Sequence, residues 1–346
     1  MHNLQLTEDQ EMVVDTVRKL VSDDVAPNVQ ELDEHRTFAR DWFDALAELG
    51  VFALSLSEDS GGAGMGFVPY VAALEAVGEQ SGSLARLWIG QAQAAIAMEQ
   101  AGADLDEVAG GVKLAAFVGP EHGFTLAGGK LKGAAELVPA AMEADVLLVA
   151  AMDGDAQALV QVDASACQRE ALHSLGLNSA GCGRVTCDSV EAVALDNAAA
   201  AIAQAELVGF LGVAAASVGG AVGAIQAAKK HAGERIAFGK PLLVQDAVQR
   251  KLVESGRAAS AAQQLTWHAA RLIDLGQEAA DAAIDARIAA VDALVLASDE
   301  AIQIHGGFGY TVEYHVERHY RDGATFGVLD GGSGKLRDRL ASMQFA

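Results

Sequence analysis

Gln303–Asp330 reads QIHGGFGYTVEYHVERHYRDGATFGVLD. The stretch leaves a long Ala-rich helical run and breaks at His305-Gly306-Gly307-Phe308-Gly309. It continues through Tyr310-Thr311 and a dense set of charges to Arg321-Asp322, then ends on Asp330 before Gly331-Gly332. Paired glycines at a helix end leave backbone N–H groups open to a phosphate or to a neighbouring chain. By local chemistry alone the same residues are a helix C-cap followed by a loop.

Upstream of this stretch a helical period holds from Ala198 to Ile304. Glu206–Ala237 as one helix would run about 48 Å, at about 1.5 Å per residue. Asp246–Leu275 and Glu278–Ile304 add two more long helices, and Lys335–Met343 a short last one. This is a four-helix-bundle pattern; no heptad seam persists, so it is not a coiled coil.

Before the bundle the period changes. Lys113–Val118, Val146–Ala151, Ala158–Val162 and Arg184–Cys187 are short apolar or β-branched runs, with turns in AGGKLKG and MDGDAQ. At the N-terminus the helical pattern returns. Leu6–Val25 starts at Thr7 as N-cap and stops at Pro27; Ala39–Leu49, Val68–Gln80 and Leu84–Ala101 follow. The glycine loop SEDSGGAGMG has no G-x-G-x-x-G and reads as a turn. The expected fold is α+β, mainly α: an N-terminal helical domain over 1–112, a small β domain over 113–194 and a C-terminal helix bundle over 195–346.

Composition narrows the function classes. Hydrophobic residues make up 51% and aromatics 5%, a mixture suited to closely packed helices. The net charge of -23, from 47 acidic and 24 basic residues, argues against nucleic acid or an anionic membrane as partner. The three cysteines, Cys167, Cys182 and Cys187, lack the paired spacing of a zinc or redox site, so no metal and a reduced, cytoplasmic protein are expected. The opening MHNLQLTEDQE is polar, and Val213–Ala228 is broken by Gly and Ser, so no membrane insertion is expected.

The order of units and several motifs resemble the acyl-CoA dehydrogenase family of flavoenzymes. LTEDQEMVVDTVRKLVSDDVAP, DWFDALAELGVFALSLSEDSGGAGMG and ALEAVGEQSGS are similar to that family's opening helices and glycine loop. Glu234-Arg235-Ile236-Ala237-Phe238-Gly239-Lys240-Pro241 resembles its E-R-x-x-F-G-x-P signature. The opening stretch resembles its Q-x-x-G-G-x-G-Y-T-x-E-Y-x-V-E-R-x-x-R-D signature. The resemblance implies an FAD enzyme that desaturates an acyl-CoA thioester, from fatty acid or steroid side-chain oxidation, between its α and β carbons. It implies that Arg235, Phe238, Gln303, Gly306 and Gly307 contact FAD across a subunit interface. Asp330 falls on the position of the catalytic glutamate in the family's Y-E-G-T. Electron-transfer flavoprotein or a similar acceptor is the implied redox partner.

The middle of the chain departs from the family. Its T-E-P-x-x-G-S-D segment survives only as Val118-Gly119-Pro120-Glu121-His122-Gly123, and its W-I-T-N segment falls on Ala135-Glu136-Leu137-Val138. An alternative base position on the first long bundle helix reads Gly209, with Phe210 beside it and Glu206 a turn away. Residues matched to cross-subunit FAD contacts thus outlast those matched to the flavin ring. That asymmetry resembles the partner chain of a heterotetramer with a paralogous subunit. The alternatives are a self-sufficient homo-oligomer and a silent partner that stabilises an active paralogue.

Overall fold

A computed structural model describes residues 6–237 and 239–345. The first helix, α1 (Glu8–Leu20), begins in a capping box: Thr7 Oγ1 accepts the Gln10 N–H at 3.3 Å and Gln10 Oε1 accepts the Thr7 N–H at 3.0 Å. It runs on as a wider π-type turn over Val21–Val25, then α2 (Val29–His35) ends on Arg36 at φ 53. α3 (Arg40–Glu48), α4 (Phe67–Gln80), α5 (Gly82–Gln100) and α6 (Asp106–Ala109) complete the N-terminal helices. Aromatic rings of Phe43, Phe52, Tyr70 and Trp88 lock α3, α4 and α5 together.

The strands are β1 (Ala115–Val118), β2 (Phe124–Ala127), β3 (Lys130–Val138), β4 (Val146–Asp153), β5 (Ala156–Asp163), β6 (Gln168–Ala171), β7 (Gly183–Glu191) and β8 (Val193–Leu195). They form one sheet ordered β6-β7-β3-β2-β4-β5-β8, and β1 also lies parallel to β4, with Ala115 opposite Val146. The four expected runs fall in β1, β4, β5 and β7. The AGGKLKG turn shrinks to Gly128 and Gly129, both at positive φ, and Lys130–Gly133 enter β3. The strand is amphipathic, so its exposed lysines hid it.

The C-terminal part holds α7 (Ala198–Glu234), the two-residue strands β9 (Ile236–Ala237) and β10 (Lys240–Pro241), then α8 (Asp246–Asp274), α9 (Ala280–His305), α10 (Val316–Phe326) and α11 (Gly332–Phe345). α7 has the length and mean hydropathy, 1.9, to cross a membrane, but 89% of that window is buried inside the protein. It is the central post of the molecule, packed by α8, α9 and α10 and equally by α4 and α5 of the N-terminal part. The closest approach is backbone to backbone. A Cβ on Gly219 would lie 2.0 Å from the Glu75 carbonyl oxygen, and one on Gly78 would lie 2.3 Å from that of Ala216. The bundle therefore shares its core with the N-terminal helices, and α11 lies against α9.

Two carboxylates, Glu75 and Glu79, are half-buried in this crossing, and burial raises the pKa of both. Glu75 accepts hydrogen bonds from Trp267 Nε1 and Gln263 Nε2, both at 2.7 Å. Burial outweighs those bonds and pushes its pKa up to about 7 from the ordinary 4.5. A group raised in this way contributes stability below its unfolded pKa and loses it as pH rises through the folded one. Unfolding midpoints should therefore fall from pH 5 to pH 8 in the wild type, and Glu75→Gln should flatten that slope. Equal slopes in the two proteins would show that Glu75 does not titrate there.

Candidate functional site

Of the predicted residues that the structure describes, Arg235, Gln303, Gly306 and Gly307 lie at one end of the bundle, and Asp330 lies elsewhere. At that end the last turn of α7 meets the last turn of α9. His231 stacks on His305 with ring centroids 4.2 Å apart, and Tyr314 stands edge-on to both at 5.6 Å. The His305 Nδ1 hydrogen donates to the Ala301 carbonyl at 2.7 Å, which fixes the ring before the chain turns. Burial, with smaller contributions from the neighbouring His305 and Arg235, lowers the His231 pKa, and burial lowers that of His305.

The chain leaves α9 through Gly306 at φ 64, ψ −140, a conformation open to glycine. Cβ atoms at Gly306 or Gly307 would meet nothing within 4 Å, so this backbone faces open space. Gln303, exposed, donates to the Tyr310 hydroxyl at 3.3 Å. Arg235 caps α7, its N–H donating to His231 O at 2.8 Å, and its exposed guanidinium makes no ion pair among the described residues, Glu234 included. Phe238 lies outside the described residues. Around these groups Ile236, Phe308, Tyr310 and Val312 are each half or more exposed and form an apolar rim. A cleft of about 760 Å³ opens beside it, lined among others by Lys230, His231, His305, Arg318 and His319.

Asp330 occupies a different setting. It sits at φ 50 ahead of Gly331 and Gly332, both at positive φ, in the turn between α10 and α11. Its Oδ1 accepts from Arg86 Nη2 at 3.0 Å, and its Oδ2 faces Arg287 Nη1 at 3.4 Å. Both arginines are buried: Arg86 also donates to Gln93 Oε1 at 3.1 Å, and Arg287 to the Leu329 carbonyl at 2.6 Å. Burial alone would raise the Asp330 pKa, but the two guanidiniums and His122 outweigh it and hold the carboxyl below its ordinary range. Arg287 further lies over the Phe210 ring at 5.4 Å, with Arg339 5.5 Å from the same ring.

Asp330, Arg86, Glu121, His122, Glu136 and Lys335 line a cleft of about 340 Å³ against the sheet. β3 carries a bulge there: Ala135 pairs with Val185 and Val138 with Gly183, and Leu137 takes φ 53. The three carboxylates of the cleft differ in partner. Glu136 is held by Arg184 at 2.6 Å, Asp330 by the two buried arginines, and Glu121 by His122 at 3.3 Å. Sequence reasoning missed Arg86 and Arg287. The available signal was a lone arginine inside the apolar run Leu84–Ile89, since a buried charge requires a partner.

From Arg287 to Gly306 the helix α9 runs about 28 Å, at about 1.5 Å per residue. The Asp330 cleft and the Arg235 surface are thus two places on one chain. Models of the acyl-CoA dehydrogenase N-terminal domain match residues 7–105, and of its C-terminal domain residues 207–344. The chain belongs to the acyl-CoA dehydrogenase family. It is 27% identical to the human mitochondrial short-chain specific acyl-CoA dehydrogenase, over 96% of this chain and 89% of that one. Over 126 residues it is 40% identical to a caffeyl-CoA reductase–Etf complex subunit of Acetobacterium woodii, spanning 36% of this chain and 33% of that one. Its fold is that of the butyryl-CoA dehydrogenase of Megasphaera elsdenii, with a TM-score of 0.91, 22% identity and 99% of each chain covered.

Acyl-CoA dehydrogenases are FAD-dependent oxidoreductases, and FAD is the cofactor of this chain. The chemistry of the bundle end fits one part of it. A guanidinium with no acid partner among the described residues and two bare glycines offer forked and backbone donors to a pyrophosphate. The cleft at Asp330 offers a charged lining instead, in a volume near the low end of the roughly 300–1,000 Å³ typical of small-molecule sites.

Proposed function

We propose that this chain is one subunit of an oligomeric acyl-CoA dehydrogenase, lending Arg235, Gln303, Gly306 and Gly307 to an FAD whose flavin ring lies in a neighbouring chain. The neighbour in this reading is a paralogue, in a heterotetramer with two copies of each chain. The observation that carries it is the separation along α9 between the open dinucleotide-type surface and the chain's own cleft. In this reading the two places on one chain serve different flavins of the assembly.

The reaction is α,β-dehydrogenation of an acyl-CoA thioester, with FAD supplying the hydride acceptor. The tasks left to protein residues are to hold the thioester, acidify its α carbon and take the proton. In this reading the Arg235 fork holds the pyrophosphate and the Gly306-Gly307 backbone lies against it. Asp330, paired with two arginines, anchors its turn and is not free to accept a proton unless Arg86 lets go. Electron-transfer flavoprotein is the proposed acceptor, supported by the likeness to a subunit of an Etf-containing complex. The buried free thiols support a reducing, cytoplasmic setting.

A homo-oligomer is the second reading, favoured by the cleft that remains at Asp330. The two are separated by purifying the chain alone and with a homologous chain, then recording flavin absorbance and acyl-CoA-dependent dye reduction. A lone chain that carries stoichiometric FAD and turns over sinks the paralogue reading. In the flavin-loaded assembly, Arg235→Leu should weaken FAD binding about 10- to 150-fold, as loss of a charged hydrogen bond of about 1.5–3 kcal/mol. Fluorescence of released flavin measures it; unchanged affinity would remove Arg235 from the site.

A further inference from the structure

Two of the cysteines meet in the fold. β6 and β7 pair antiparallel with Gln168 opposite Thr186 and Arg169 opposite Val185, so the next position out sets Cys167 opposite Cys187. Their Sγ atoms lie 2.9 Å apart, far closer than a sequence separation of 20 suggests, and both are buried. Cys182 stands apart, its sulfur directed to the Leu177 carbonyl.

We propose that Cys167 and Cys187 form a dithiol that closes to a cross-strand disulfide by exchange with a low-molecular-weight disulfide. The site is independent of the flavin reading. Its geometry needs little change, because directly opposed residues of an antiparallel pair already hold their Cβ atoms at about 4.5–5.5 Å, near the about 3.5–4.5 Å of a disulfide. Access comes through β6. That strand has four residues and sits at the edge of the sheet with β7 as its one partner, and it exposes most of its side chains. Such an edge opens locally at low cost.

The order of events follows from the surroundings. The two sulfurs share one hydrogen bond that either can donate; with Cys187 donating, that bond and the nearby Arg169 guanidinium lower the Cys167 pKa, and the same bond and burial raise that of Cys187. The Cys167 thiolate attacks one sulfur of the small disulfide, whose S–S bond breaks and whose other half leaves as a thiolate and takes a proton from water. Cys187 then gives up its proton to solvent and attacks Cys167 Sγ, releasing the second small thiol. The protein loses two protons and two electrons, together two hydrogen atoms, and the small disulfide gains them to become two thiols.

The whole chain, folded and first reduced, is titrated with glutathione disulfide and then analysed by intact mass and peptide mapping. The expected product has lost two hydrogen masses, carries a Cys167–Cys187 linked peptide and keeps Cys182 alkylatable. Cys187→Ser should stop at a glutathione adduct on Cys167, and Cys167→Ser should give neither product. The oxidised wild type should also melt several degrees above the reduced form, since a loop of 167–187 is closed. A linkage through Cys182, a disulfide that forms only after denaturation, or three thiols untouched at excess oxidant would each overturn the proposal.

Discussion

Arg287→Leu is expected to lower the unfolding free energy by about 3–5 kcal/mol, the usual cost of removing one partner from a buried ion pair. Arg287 has no exposed surface, and three groups depend on it: the Asp330 carboxylate, the Leu329 carbonyl at 2.6 Å and the Phe210 ring beneath it. Leucine fills part of the volume but leaves the Leu329 carbonyl with the Gly332 N–H, at 2.9 Å, as its remaining donor. Arg86 remains on Asp330, so the carboxylate is weakened in pairing and not abandoned.

The sign of the pH dependence follows from Asp330. Its folded pKa is depressed below the ordinary 3.8, so its pairing contributes fully above that value and is lost as pH falls through the folded pKa. The gap between wild type and Arg287→Leu in urea midpoints should therefore narrow from pH 7 to pH 3, leaving the share due to the Leu329 carbonyl. Asp330→Asn should cost less in the Arg287→Leu background than in the wild type at pH 7, because one of its two arginine partners is already gone. A constant gap across pH, with no coupling to Asp330→Asn, would mean that the arginine acts by packing alone.

Gly219→Val should have the other large effect, failure of the N-terminal helices to dock on α7. Ordinary overpacking costs about 1–3 kcal/mol because side chains shift aside. Here the added carbon would meet the Glu75 carbonyl oxygen at 2.0 Å and the Glu79 amide nitrogen at 2.7 Å, and a backbone cannot rotate away. Gly223, 2.4 Å from the Glu79 carbonyl oxygen by the same measure, extends the contact by one turn. The variant should be insoluble or melt far below the wild type. Gly233→Ala is the control on the same helix: its Cβ would meet nothing within 4 Å, and alanine favours helix by about 1 kcal/mol. A well-folded Gly219→Val protein would show that α4 and α7 can separate without cost.

Much of the helical scaffold was legible because its apolar residues recur at helical spacing. Expected ends for α3, α4, α5, α8 and α9 fall within two residues of the observed ones. α10 was hidden because HVERHYRDG is rich in charge, and charge reads as loop. Its charges turn inward to tie parts of the chain together. Asp322 accepts the Leu177 N–H at 2.7 Å, and Thr325 accepts the Gly176 N–H at 3.0 Å, so the helix clasps the loop before β7. Burial with fixed partners is invisible to a one-dimensional pattern. The cysteine pair was missed for the same reason: spacing along the chain says nothing of register across a sheet.

By itself the order of residues determined the mainly helical class, the sheet between two helical parts and the family, because periodicity and local motifs are carried by neighbours in sequence. It also picked out Arg235 and Gln303–Gly307 as candidate FAD contacts by resemblance, and the stacked His231 and His305 rings place them at one end of the bundle. Only the tertiary structure set Asp330 between Arg86 and Arg287, from α5 and α9, and placed it about 28 Å along α9 from that surface. Arg86 and Arg287 are far apart in the chain. Their charges act on Asp330 because folding removes the water between them, and that short-range pairing is settled by packing.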